Sequence, residues 1–198
     1  MHPKLDGPAL DILFRTARTR NGWSTQAVSE DQIRELYDLL KWGPTSGNGS
    51  PARFVWVRSE AGKGKLAALA SEANRPKILA APLTVIIGYD LDFGEQMPKL
   101  FPARGEAMKA MFASSQVIAE TTAFRNSTLQ GAYLILAARA LGLDCGPMSG
   151  FDNAGVDREF FGNSRVRSNF ICGLGYGSEE KLFARNPRLT FEEAGRFA

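Results

Sequence analysis

The chain of 198 residues contains one histidine, and it stands at position 2. That scarcity excludes an internal Ser/His/Asp or Cys/His relay, an HExxH zinc helix and an imidazole general base. Cysteine is nearly as sparse. Cys145 and Cys172 lie far apart without CxxC spacing, which argues against a zinc site or a thioredoxin-like pair and suits two small buried thiols. Apolar runs are short: the longest, Leu83 to Gly88 and Ala132 to Ala138, cannot span a bilayer. The opening Met1-His2-Pro3-Lys4-Leu5-Asp6-Gly7-Pro8 lacks the apolar centre of a secretion signal, so a cytoplasmic protein is expected. Neither sign of charge dominates, with 24 basic and 21 acidic residues scattered to a net +3, and no dense Lys/Arg stripe points to nucleic acid. Chemistry must therefore come from other side chains or from a cofactor.

What is present is ordinary globular composition, 44% hydrophobic and 23% charged, without repeats, low-complexity tracts or linkers. A single domain over residues 1–198 is expected. Leu10, Leu13, Phe14 and Ala17 share one face of a helix over Ala9 to Thr19. A second helix starts near Ser29 or Asp31 and stops at Gly43-Pro44. Residues 43–51 contain only turn formers and short polar side chains. Strands are expected at Phe54 to Val57, Leu83 to Gly88 and Ser168 to Leu174, with helices at Lys63 to Ala73, a short turn at Asn74 to Lys77, and Val156 to Phe161. The segment Asp90 to Phe112 reads as irregular, Cys145 to Phe151 as a loop, and the residues after Leu174 as a tail. The strongest helix signal runs from Gln116 to Leu141, apolar nearly all round and so expected to be central. Helices alternating with three or four strands give an α+β arrangement, helices packed on a small sheet.

Two arginine groups stand out. Arg18 and Arg20 stand at the end of the first helix, while Arg185 and Arg188 lie in the tail; they could close together on one phosphate or could be solvated surface charges. The loop 43–51 could offer amides and hydroxyls to a polar ligand, but it lacks the GK[ST] of a Walker loop. Gly173-Leu174-Gly175-Tyr176-Gly177 follows the last strand with no βαβ unit after it, so it is no dinucleotide fingerprint.

Three long segments, taken in order, carry a family resemblance. They are Tyr37-Asp-Leu-Leu-Lys-Trp-Gly-Pro-Thr-Ser-Gly-Asn-Gly-Ser-Pro-Ala-Arg53, Phe124-Arg-Asn-Ser-Thr-Leu-Gln-Gly-Ala-Tyr-Leu-Ile-Leu136 and Ala140-Leu-Gly-Leu-Asp-Cys-Gly-Pro-Met-Ser-Gly-Phe-Asp152. With them the chain resembles the nitroreductase family over nearly its whole length. Within that family it is similar to the HadB/RutE branch, which includes the malonic semialdehyde reductase of pyrimidine degradation. The resemblance implies a homodimer with FMN between its subunits and NADH or NADPH as reductant. It places Arg18 on the phosphate, Thr19 beside it as the hydroxyl, Trp23 as the aromatic closing the segment, and either Arg20 or Asn21 at the flavin's pyrimidine edge. Pro44, Thr45, Ser46 and Asn48 would reach the flavin held mainly by the other subunit, with Ser50 standing where relatives have glutamine. Asn74 and Lys77 match a pair that relatives set on the pyrimidine ring. Met148, Ser149 and Gly150 match the loop beside N5, and Arg188, with Arg185 or Asn186, matches the basic tail on the phosphate.

The physical chemistry is coherent with these roles. A lysine such as Lys77 stabilises electron density gathered near N1 and O2, and hydride transfer through N5 needs no nucleophile, in keeping with the missing histidine. The activity implied is ping-pong: nicotinamide reduces FMN and leaves, then malonic semialdehyde takes the hydride to give 3-hydroxypropionate. Alternatives are a broad nitroaromatic or quinone reductase and a flavin-binding protein without turnover. Substrate-contacting groups are expected between Pro98 and Phe124, Arg104 among them.

Overall fold

Val85 and Ile87 alternate with Ile86 along one strand, and all three are fully buried. Since successive side chains point to opposite faces, such a strand must be covered on both sides. In the computed structural model, which describes residues 2–198, this strand, β2 (Leu83–Asp90), is central. It pairs antiparallel with β1 (Ala52–Val57) and β4 (Val166–Gly175), and β4 pairs antiparallel with β3 (Asp144–Met148). The order is β1-β2-β4-β3.

On one face, α2 (Glu30–Leu40) and α7 (Gln116–Ala140) bury Leu36, Leu40 and Leu134 against Val85, Ile87, Cys172 and Leu174. Ser29 opens α2 with a reciprocal capping box to Gln32, as its sequence position suggests. On the other face, α3 (Glu60–Ala68) and α4 (Arg75–Ala80) set Leu66 and Ile78 on Ile86 and Ile171. Each such fully buried aliphatic side chain contributes roughly 1.5–3 kcal/mol of transfer free energy.

The first helix is shorter than its apolar spacing suggests. It comprises α1 (Gly7–Leu10) followed by a wide π-helical turn over Asp11–Arg15. The Thr16 amide closes the last turn on the Asp11 carbonyl at 2.9 Å, and carbonyls at this end of the segment accept from distant side chains. Arg185 donates to the carbonyls of Arg15 and Ala17 at 2.9 Å each. Arg139 donates to that of Leu13 at 2.8 Å.

The expected irregular stretch 90–112 is instead ordered. A 3-10 turn at Phe93–Gln96 leads into α5 (Met97–Leu100) and α6 (Gly105–Ser114). These short pieces, with Pro98 in the first turn of α5 and Pro102 between α5 and α6, leave no readable periodicity; tertiary packing holds them. Phe93 and Phe112 meet at 4.6 Å between ring centroids and form a third small core with Met97, Ala119 and Ala123. The helix expected at Lys63 to Ala73 begins earlier and ends at Ala68, and the tail contains one helical turn, α9 (Phe191–Ala194). The helix expected at Val156 to Phe161 is α8 (Asn153–Val156) plus a wide turn through Phe161.

Helix α7 is central, but its buried stripe is small and polar: Ala119, Ala123, Asn126, Ser127, Gln130, Gly131, Leu134, Ala137 and Ala138. Gly131 is needed there, because a Cβ would lie 2.5 Å from the Phe170 ring. The opposite side exposes Val117, Ile118, Phe124, Leu129 and Tyr133 in this single chain. Among the described residues, no helix is long and apolar enough to cross a membrane.

Candidate flavin site

The two arginine groups of the sequence come together. Arg18, Thr19 and Asn21 from the segment after the first helix line a cleft of about 570 Å³ with Arg185, Asn186 and Arg188 from the tail. The tie is reciprocal: the Arg18 guanidinium donates to the carbonyl of Phe183, and Arg185 returns bonds to the carbonyls of Arg15 and Ala17. Arg188 is exposed and turns onto its local carbonyls at Asn186 and Pro187, 2.9 and 3.0 Å away. Asn21 donates to the carbonyl of Lys181 at 3.4 Å. One residue absent from the sequence expectations joins the lining, Arg139 from the last turn of α7. Its signal is visible in retrospect as the lone charge in the apolar run Leu134-Ile-Leu-Ala-Ala-Arg139-Ala-Leu141. The cleft thus gathers four guanidinium groups, Arg18, Arg139, Arg185 and Arg188, and no carboxylate lines it.

Arg20 takes a different place. Its guanidinium contacts Asp144 at 3.3 Å and Glu179 at 2.9 Å, and donates to the carbonyl of Ser178 at 3.2 Å. The hydrogen bond to Glu179, opposed by partial desolvation and assisted by Asp144, raises the arginine's already high pKa. Asp144 in turn accepts from the backbone of Gly177 at 2.9 Å. Arg20 therefore fastens the chain where the tail begins and does not line the arginine cleft, which leaves Asn21 as the one of the pair facing it.

Strand β3 joins this cleft to a second polar cluster. Its beginning is bridged to the first segment, Thr19 pairing with Cys145 and the Arg20 amide donating to the Cys145 carbonyl at 2.9 Å. The first half of the expected loop 145–151 is consequently a strand, edge-paired through a Gly-Pro sequence that offers no alternating pattern. At about 3.3 Å per residue, the rise from Cys145 to Met148 covers about 10 Å. Beyond it, the Gly150 carbonyl accepts from the Asn74 side chain at 3.1 Å, and Lys77 donates to the Asn74 amide oxygen at 3.3 Å. Asn74, Lys77 and Gly150 are thus one half-buried cluster, with Met148 buried and Ser149 exposed beside it. Gly150 leaves no room for a side chain, since a Cβ would stand 2.9 Å from the Asn74 amide nitrogen.

Trp23 occupies the position expected of a closing aromatic. It bridges Gly177 and packs where Cβ atoms would otherwise be, its Cζ2 atom only 2.9 Å from a Cβ built on Gly173. Gly173 makes space for that ring, Gly175 for Pro82 and the ring, and Gly177 for the Arg20 side chain, so close packing accounts for the run without a nucleotide.

The loop 44–51 is held by α7 as well as by its own turn bonds, the Asn48 and Gly49 amides donating to the Thr45 and Ser46 carbonyls. Asn126 accepts from the Ser46 amide at 2.8 Å and Gln130 from the Ala52 amide at 2.9 Å. Gly47 and Asn48 adopt positive φ of 58° and 57°, and Ser50 one of 40°. Pro44, Ser46 and Asn48 are exposed and Thr45 half-exposed, with the Asn48 amide donating to the Leu100 carbonyl at 2.9 Å. Within the chain this loop stands apart from the arginine cleft, none of its residues lining it.

A second, more open cleft of about 730 Å³ lies between Tyr89 and α7, lined by Glu120, Thr121, Phe124, Arg125, Thr128 and Leu129. Burial, together with the Glu120 and Asp157 carboxylates, pushes the Tyr89 phenol above its ordinary pKa, so it stays protonated and able to donate. Phe124 stands edge-on to Tyr89 at 5.5 Å. Arg104 does not line this cleft. Among the described residues, no three histidine, cysteine or acidic side chains are gathered as a metal site.

Comparison with known proteins bears on the family and the fold. The sequence model described as the nitroreductase family matches residues 16–176. A protein of Caulobacter sp. (strain K31), provisionally named NADH dehydrogenase/NAD(P)H nitroreductase, is 62% identical over 98% of each chain. One of Stenotrophomonas maltophilia (strain R551-3) with the same name is 57% identical over the full length of both. Among solved structures, a provisional nitroreductase of Exiguobacterium sibiricum, determined in complex with FMN, superposes with a TM-score of 0.87 at 18% identity, covering 100% of this chain and 99% of that one. A nitroreductase family protein of Streptococcus pneumoniae superposes with a TM-score of 0.83 at 22% identity, covering 94% of this chain and 98% of the other.

Proposed function

Because the chain belongs to the nitroreductase family, we propose that it is an NAD(P)H oxidoreductase that holds FMN across the arginine cleft and the Asn74–Lys77–Gly150 cluster. The observation carrying this reading is the cleft itself, where four guanidinium groups face one space that no carboxylate lines. Arg18 and Arg139 are half-buried and Arg185 and Arg188 exposed; clustered cations with no counter-charge in the cleft favour an anion, and a phosphate monoester suits their forked donors. The amide and ammonium groups at the other end of β3 suit the polar edge of a heteroaromatic ring. An elongated ligand, anionic at one end and rich in acceptors at the other, fits that spacing.

When bound, FMN supplies a two-electron carrier that takes a hydride from a nicotinamide and delivers it to an acceptor. The protein's own tasks are then few. Arg18, Arg185 and Arg188 hold the phosphate, with Thr19 and Asn21 beside it. Lys77, oriented by Asn74, places a positive charge at the ring's pyrimidine edge. Met148, Ser149 and Gly150 fix the backbone alongside the reacting edge. The loop 44–48, presented outward by Asn126, reaches the flavin of a second subunit, and the exposed apolar side of α7 forms the contact between them.

For the acceptor, the resemblance to the HadB/RutE branch favours malonic semialdehyde, reduced to 3-hydroxypropionate. The names of the relatives favour the second reading, nitroaromatics. An acceptor screen with FMN-loaded enzyme and NADH tests both: catalytic efficiency highest for the semialdehyde supports the first, and efficiency highest for a nitrofuran or quinone replaces it.

A further inference from the structure

We infer that Arg139 is a fourth phosphate-binding residue of the arginine cleft, contributed by the C-terminal turn of α7. The inference rests on the FMN reading above and adds to it a group that neither the family resemblance nor the local sequence pattern assigns.

Arg139 is half-buried, lines the cleft beside Arg18, Arg185 and Arg188, and forms no ion pair among the described residues. Its one intramolecular hydrogen bond runs from Nη1 to the Leu13 carbonyl at 2.8 Å. A guanidinium has five N–H donors, so most remain free for a ligand. Two structural roles could be asked of it, and neither requires what is seen. A cation complements the carbonyl end of a helix, but that contribution is small at a surface and does not need a half-buried site. The tie to Leu13 needs a single donor, which a neutral amide would supply. What demands a permanent, forked cation is an anion in the cleft: taking an unpaired charge partly out of water is unfavourable unless an opposite charge meets it.

Position adds a second argument. Arg18 and Arg185 hold each other's backbone segments, so both depend on the tail being docked. Arg139 stands on a 25-residue helix packed into the core and belongs to neither segment. It is a donor set by the helix rather than by the docking of the tail, so part of the selectivity for a phosphate over a neutral end group resides there.

The test compares FMN with riboflavin, which lacks the phosphate, by fluorescence titration of apoprotein. Arg139→Gln keeps a donor for Leu13 and removes the charge. Expected are a loss of FMN affinity of about 10-fold or more, riboflavin affinity within about twofold of wild type, and a shallower salt dependence of FMN binding. Arg139→Lys, keeping the charge without the fork, should fall between, again for FMN alone; it decides the matter if the glutamine variant does not fold. Equal losses for both flavins, or an unchanged FMN-to-riboflavin ratio, overturn the inference and return Arg139 to a purely structural tie. A wild-type protein that binds neither flavin overturns the cofactor reading itself.

Discussion

Arg18 and Arg20 stand two positions apart and do different work. Arg18 looks into the cleft; Arg20 is bound by Asp144 and Glu179. Charge-assisted hydrogen bonds of this kind are worth roughly 1.5–3 kcal/mol, so Arg18→Ala should weaken FMN binding by roughly 10- to 100-fold in a fluorescence titration. Unchanged affinity would make Arg18 a solvated charge. The two cysteines offer a contrasting expectation. Both are buried, and hydrogen bonding to Cys145 together with burial pushes the Cys172 thiol well up, so the reactive thiolate is scarce at neutral pH. Neither thiol should react with an aromatic disulfide reagent in the native protein, and both should do so in denaturant; a fast native reaction would contradict their placement. The two arginine groups and the thiols stood out by residue type and spacing, whereas Asn74 and Lys77 stood out only through the family resemblance. Residue type could not separate Arg18 from Arg20, because the carboxylates that claim Arg20 lie more than a hundred positions away.

At the level of elements, legibility followed periodicity. Helix α2 announces itself through its spacing and caps, and α7 and β2 through their apolar runs, whereas β3 does not. Its Asp-Cys-Gly-Pro-Met sequence is set as a strand by pairing with β4 and by the bridge to Thr19. That close approach yields a specific expectation at Gly146, where a Cβ would stand 2.5 Å from the Arg20 carbonyl oxygen. Gly146→Ala must push two backbone segments apart and should cost about 1–3 kcal/mol in denaturant unfolding. Because the same segments hold Thr19 and Arg18, FMN affinity should fall with it. A variant as stable as wild type would show that the Thr19–Cys145 bridge is dispensable. The excursion through α5 and α6 was unreadable for another reason: its order comes from Phe93 and Phe112 meeting across intervening sequence, a contact without local signature.

For the whole molecule, the distribution of polarity on α7 is the informative feature. Its inward stripe is small and polar where it steadies the loop 44–51, and its outward side carries Val117, Ile118, Phe124, Leu129 and Tyr133. Apolar side chains of that size left exposed on the helix suit a partner surface, and in the proposed homodimer a second copy would bring its loop 44–48 to the first copy's flavin. Leu129→Glu should therefore shift the protein from dimer to monomer in light scattering and lower its flavin content; a wild-type monomer with full flavin content would refute the shared site. The central claim is that this chain uses nicotinamide to charge a bound flavin, and anaerobic rapid mixing of the FMN-loaded protein with NADH or NADPH tests it most directly. Fast loss of the flavin's visible absorbance with at least one of the two, restored on adding an acceptor, is the predicted result, and an absorbance that neither nucleotide changes would contradict the account.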